Sequence, residues 1–346
     1  MEQTLEGTII YGDDFEPING RLTIEDGIIR DIEERKNVPE TIIAPCFVNA
    51  HTHIGDSILK DPPYLPLEEL VQPPNGLKHR VLRETPYNDL VASMKATIDD
   101  MVRTGTCAFA DFREGGLEGV LALREALGSS DIDARIFGRP VDGKMDYLDH
   151  CDGTGISSTN DLESSLVKEI EGKTREKGKK FVIHAGEKDA SDILPAIELE
   201  PDFLVHLTHA GKKELRAVAD AGIPVIVCVR SNFITNSGIP PVQKMLDEGI
   251  LVAAGTDNVM FNSPSMFPEM EFLAKTNLRD DRQVFKFCTL NGAQILGIDS
   301  VLGSIKKGKT AKLMVLNRNS GNLYGTKNPL GSLVRRARPD DIVKIT

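Results

Sequence analysis

DFLVHLTHAGKKELRAVADAGIPVIV, residues 202–227, reads as a strand, a helix and a strand. DFLVH and IPVIV are apolar runs of strand length. KKELRAVADAG between them has its apolar residues at helical spacing and stops at a glycine, as a C-cap does. The same alternation extends in both directions. FVNAH (47–51), TCAFAD (106–111), ARIFG (134–138), TGIS (154–157) and KFVIH (180–184) precede this unit, and ILVAAG (250–255) follows it. Between these runs lie amphipathic stretches such as LVASMKATIDDMVRTG, LEGVLALREALG, DLESSLVKEIEGKTREKG and PVQKMLDEG. Strands alternating with helices make a parallel sheet with helices packed outside it. Eight such strands predict a closed (β/α)8 barrel of the TIM type, with a doubly wound sheet as the alternative.

Composition narrows the functional classes. With 346 residues, 40% hydrophobic and 27% charged, the chain has ample material for a core. A net charge of −11 argues against nucleic acid and against an anionic membrane surface, both of which call for a basic patch. The expected partner is a small-molecule substrate, and a homo-oligomer stays open. The five cysteines (Cys46, Cys107, Cys151, Cys228, Cys288) are odd in number and form no CxxC pair, which argues against a thiolate zinc site and a disulfide scaffold. They read as buried free thiols in a reducing compartment. The opening MEQTLEGTII is acidic where a signal peptide is basic, so a cytoplasmic protein is expected.

The chemistry collects at strand ends. Of seven histidines, His51, His184 and His206 terminate strand-like runs, and Asp257 follows another in AAGTDN. In a parallel barrel the C-terminal strand ends share one rim, so these distant residues converge. His51 and His53 form an HxH pair whose period of two puts both imidazoles on one face. Each residue alone has a bland reading: a satisfied buried imidazole, or a turn or N-cap aspartate. Four strand-end placements together point to one metal ion held by His51, His53, His184 and Asp257. Three imidazoles and a carboxylate suit Zn²⁺ or Fe²⁺ better than Mg²⁺ or Ca²⁺. A water activated by such an ion needs a proton acceptor, and Glu187, three residues after His184, is the first candidate. His206 would stabilise or orient the developing oxyanion, or relay a proton.

PCFVNAHTH (45–53), IHAGE (183–187), HLTHAGKKEL (206–215), VRSN (229–232), AAGTDN (253–258) and LGSIKKGKTAKLMVLN (302–317) together resemble the amidohydrolase superfamily. Within it they are most similar to the mononuclear deaminase and chlorohydrolase-like branch, which includes S-adenosylhomocysteine, cytosine and guanine deaminases. The resemblance implies the same four ligands, Glu187 as proton shuttle and His206 as the catalytic histidine. It also implies a small β-sandwich from residues 1–46 and 300–346 beside a barrel over 47–299. Departures are Cys46 where the family usually has glycine, and Lys312 where an acidic residue is common. GTGISS (153–158) lacks the lysine that binuclear members carboxylate, and Lys144 lies in the preceding loop, which favours one metal.

Near the inferred rim lie Asp56, Asp111, Arg113, Arg139, Arg230, Asn232 and Asn258. Asp56, His209, Arg230 and Asn258 are the candidate substrate contacts. Arg230 can pair a substrate anion or brace loop carbonyls. The motif ADFREGG (110–116) carries no decodable substrate signature. The leading expectation is hydrolytic deamination of a nucleobase-, nucleoside- or pterin-like heterocycle. The alternatives are hydrolysis of a cyclic amide, imide or other C–N bond, and a catalytically silent binding protein.

Overall fold

The structure, a computed structural model, describes residues 2–276 and 278–346. It opens on four strands, β1 (Glu2–Tyr11), β2 (Glu16–Glu25), β3 (Ile28–Glu34) and β4 (Thr41–Pro45). β1 and β2 pair antiparallel from Glu2↔Glu25 to Tyr11↔Glu16. Asp26 and Gly27, both at positive φ (50° and 75°), turn the chain from β2 into β3. A two-residue Asp-Gly loop in this conformation matches the twist of the strands it joins.

The barrel strands follow: β5 (Phe47–His53), β6 (Thr106–Arg113), β7 (Asp133–Gly138), β8 (Gly153–Ile156), β9 (Lys180–Ala185), β10 (Phe203–His206), β11 (Val225–Val227) and β12 (Val252–Ala254), then a short β13 (Asp257–Asn258). β14 (Leu313–Asn317) and β15 (Ile342–Ile345) end the chain. The eight expected runs are all strands. Every residue of β5 and β6 is buried, as in a sheet covered on both faces.

The order of the large sheet is β12-β11-β10-β9-β8-β7-β6-β5-β13. β12 pairs in parallel with β11, and β13 pairs in parallel with β5. Only Gly255 and Thr256 separate β12 from β13. The eighth strand therefore runs in two pieces, one hydrogen-bonded to the seventh strand and one to the first. Sequential order with this return is a TIM-type barrel; a doubly wound sheet would reverse its order partway along.

β15-β14-β4-β1-β2-β3 form the second sheet, six strands drawn from both termini. Leu5, Ile9, Leu22, Ile24, Ile29, Ile43, Ile305, Ala311, Leu313 and Val315 form its buried apolar cluster. The terminal segments thus combine in one sheet, and all other described strands belong to the barrel sheet. Backbone proximity groups the chain through Ala50 with Met101–Ala108 and Ser265–Thr346 as one unit, and His51–Asp100 with Phe109–Pro264 as another. The residues of the candidate site all fall in the latter. Among the described residues no helix is long and apolar enough to cross a membrane.

Candidate metal centre

His51 and His53 end β5, His184 is the penultimate residue of β9, His206 ends β10 and Asp257 opens β13. All are buried, with at most 5% of each exposed. His184 Nε2 lies 3.2 Å from His51 Nε2 and 3.3 Å from His53 Nε2. Asp257 Oδ1 lies 3.3 Å from His51 Nε2 and 3.5 Å from His53 Nε2. Two overlapping groups, His51/His53/His184 and His51/His206/Asp257, each bring their ligand atoms within 4.8 Å of one another. Three imidazoles and a carboxylate are a donor set that suits a metal ion.

The far sides of His53, His184 and Asp257 are occupied in the way a ligand requires, whereas His51 Nδ1 is buried without a hydrogen-bond partner. His184 Nδ1 donates to the Ile156 carbonyl at 2.9 Å, and His53 Nδ1 to the Phe112 carbonyl at 3.1 Å. Both Nε2 lone pairs are thereby turned toward the shared point. Asp257 Oδ2 accepts from Ser231 Oγ at 2.5 Å and Asn258 Nδ2 at 3.0 Å, leaving Oδ1 for the histidines. The Phe112 ring packs 4.5 Å from the His51 ring and 4.7 Å from the His184 ring, and it is buried. Phe112 is therefore a wall for the imidazoles.

Burial favours neutral imidazole, the ligating form. It is the main cause lowering the pKa of His51, of His184, and of His53, which falls to about 3 with help from Lys78. Burial opposes ionisation of Asp257 too, but its contact with His51 and the neighbouring imidazoles outweigh it and hold the carboxyl well below its usual range. His206 and Asp257 adopt positive φ (80° and 57°), a conformation non-glycine residues hold only where their surroundings enforce it.

Glu187 Oε2 stands 3.6 Å from His206 Nε2, with one-fifth of the glutamate side chain exposed. Burial raises the Glu187 pKa. Asn232 Nδ2 lies 3.1 Å from His206 Nδ1. A cleft of about 320 Å³ opens onto His184 and Glu187, lined also by Glu68, Ser158, Asp161 and Asp192. Lys188 and Glu68, both on its lining, form an ion pair at 2.8 Å.

The four candidate substrate contacts part company. Asn258 is buried and braces Asp257, with Oδ1 meeting no hydrogen-bond partner. Asp56 is buried and ion-paired to Lys78 at 3.2 Å. Arg230 donates to the Ser263 carbonyl at 2.9 Å. The exposed His209 follows the strand end. Sequence reasoning passed over Ser231, Lys78 and Glu114. Ser231 had a signal in VRSN, one residue before Asn232; Lys78 had none, because nothing in LKHR distinguishes it from a solvated helix face.

The amidohydrolase family matches residues 42–344. An uncharacterized protein of Methanocaldococcus jannaschii is 36% identical, over 98% of this chain and 96% of its own. The 5-methylthioadenosine/S-adenosylhomocysteine deaminase of Pyrococcus furiosus is 26% identical, over 97% of this chain and 91% of its own. Among solved structures, an adenosine deaminase from Xanthomonas campestris with bound zinc superposes with a TM-score of 0.82 at 17% identity, covering 96% of this chain and 88% of that one. That last likeness is one of fold.

Proposed function

The chain belongs to the amidohydrolase family, and from that premise we propose that it hydrolytically deaminates a small heterocycle of nucleobase, nucleoside or pterin type. In this reading His51, His53, His184 and Asp257 hold one divalent ion, Zn²⁺ before Fe²⁺, and residues 47–299 are the catalytic barrel. The observation that carries it is the convergence of three imidazoles and the Asp257 carboxylate on one buried point, with Glu187 and His206 beside them. The family match and the deaminase relative support the reaction class.

When bound, the ion supplies a Lewis acid that lowers the pKa of water toward about 7. The rest of the chemistry belongs to side chains. Glu187, its pKa raised by burial, takes the proton from the attacking water and returns it to the departing nitrogen. His206, fixed at Nδ1 by Asn232, directs Nε2 toward the reacting centre and hydrogen-bonds the oxygen that becomes the carbonyl. Asp257 turns Oδ1 toward the ion and the attacking oxygen, since Ser231 and Asn258 occupy Oδ2. Asn258, with an unpartnered buried Oδ1, is the best supplied of the four candidates to accept a hydrogen bond from substrate; Asp56, His209 and Arg230 are kept as outer contacts. The five buried free cysteines suit a reducing cytoplasm.

Ammonia release over a panel of aminopurines, aminopyrimidines and aminopterins tests the reading. Release from at least one member supports it. A substrate turned over with no ammonia replaces deamination by another C–N cleavage, such as opening of a cyclic amide.

A further inference from the structure

ADFREGG, opaque as a motif, becomes intelligible in space. Arg113 ends β6, and Glu114 follows it. Glu114 Oε1 lies 2.9 Å from His53 Nδ1 and 2.7 Å from Lys78 Nζ; Oε2 lies 2.6 Å from Arg113. Arg113 also reaches Asp111 Oδ1 at 3.3 Å, and Asp111 Oδ2 accepts from the backbone N–H of Ile54 at 2.6 Å. Lys78 reaches Asp56 at 3.2 Å. None of these five side chains is more than 5% exposed.

The backbone makes room for them. A Cβ on Gly55 would fall 2.1–2.4 Å from the Arg113 guanidinium, and one on Gly119 would fall 1.9 Å from the Glu114 carbonyl oxygen. Gly115 and Gly116 turn away at φ of 88° and 58°, immediately after Glu114. Removing ions from water costs several kcal/mol each before pairing, and apolar side chains of similar volume would pack as well. Packing alone does not account for such a cluster. The residue of the metal centre that its carboxylates contact directly is His53.

We propose that Glu114 is a positioning residue of the metal centre, whose carboxylate fixes His53 with its proton on Nδ1 and strengthens Nε2 as a ligand, while Lys78 and Arg113 hold Glu114 in place. The aligned hydrogen bond from Nδ1 goes to the Phe112 carbonyl, and Glu114 Oε1 stands off that line as a close negative charge. A carboxylate there stabilises Nδ1–H and raises the basicity of the opposite nitrogen. Lys78 at 2.7 Å and Arg113 at 2.6 Å pair with the two carboxylate oxygens and hold them in place.

The inference rests on His53 being a ligand as proposed above, and the experiment separates the two claims. Zn²⁺ affinity is measured by competition with a chromogenic chelator for wild type, His53→Ala and Glu114→Gln. Visible spectra of the Co²⁺-loaded proteins and melting of the metal-free proteins are recorded alongside. Glu114→Gln is expected to bind Zn²⁺ about 10–100-fold more weakly, the usual effect of removing such a partner, and to shift the Co²⁺ bands. A purely structural glutamate would move the melting curve and leave the spectrum alone. Affinity within about threefold of wild type and an unshifted spectrum overturn the proposal. If Glu114→Gln does not fold, Glu114→Asp withdraws the charge from His53 by one methylene, and wild-type affinity there overturns it equally. If His53→Ala binds Zn²⁺ as wild type does, the ligand set itself fails and the inference falls with it.

Discussion

Gly255 is the point at which barrel closure and metal site meet. Its backbone does not need positive φ, yet a Cβ there would lie 2.6 Å from both the nitrogen and the oxygen of His51. Ordinary contact begins near 3.4 Å, so Gly255→Ala must push β5 and the eighth strand apart by about 0.8 Å. Both obstacles are backbone atoms, and no rotamer change relieves them. Overpacking of this kind costs about 1–3 kcal/mol, a fall of roughly 1–4 °C in the melting midpoint of the metal-free protein. The larger consequence is local. His51 would shift relative to His184 and Asp257, whose donor atoms now lie 3.2 and 3.3 Å from its Nε2. Misplacement on the order of 1 Å costs about 100-fold in rate. Calorimetry of the metal-free protein together with Zn²⁺ titration reads both effects. Unchanged melting and unchanged affinity in Gly255→Ala would refute the close approach of these strands.

Other consequences are more direct. Glu187→Gln should retain metal while losing about 100-fold or more in kcat. Because a general base works ionised and burial raises the Glu187 pKa, the acid limb of the wild-type kcat/KM profile should lie above the ordinary glutamate range and vanish in the variant; an unaltered profile rejects the shuttle role. His206→Ala should be the more damaging and His209→Ala the milder, and the reverse order in kcat would exchange their roles. Asp56 has its pKa raised to about 7, foremost by burial, so the folded state holds that proton more tightly than the unfolded chain. Its contribution is present below about pH 4 and lost as pH rises through about 7, up to about 4 kcal/mol at 1.36 kcal/mol per unit. Urea titrations of wild type and Asp56→Asn should therefore diverge between pH 4 and 8, wild type losing ground as pH rises; parallel curves would show Asp56 ionised throughout.

How much of this was legible beforehand depended on the range of the signal. Apolar runs such as KFVIH and DFLVH declare strands locally, and in a chain with few histidines a strand ending in His51, His184 or His206 declares the rim. Even the short TGIS forms a strand, β8. Splitting of the eighth strand at Gly255 was not legible, since the collision that demands glycine involves His51, some two hundred positions away. Glu114 and Lys78 were hidden for a related reason. Hydrophobic periodicity marks charged residues as solvated, and their burial follows from partners brought together only by the barrel. Arg230 had two readings in the sequence, and its bond to the Ser263 carbonyl is one that the bracing reading expects. The resemblance implied a small β-sandwich from the termini, and the strands of both termini share a six-stranded sheet.

Metal content of the purified protein is the most direct test of the whole account. Elemental analysis should find one transition-metal ion, zinc or iron, per wild-type chain, lost or sharply reduced in Asp257→Ala with turnover abolished. A wild-type protein that neither carries nor recruits a divalent ion, or an Asp257→Ala variant that keeps a full equivalent, would contradict it.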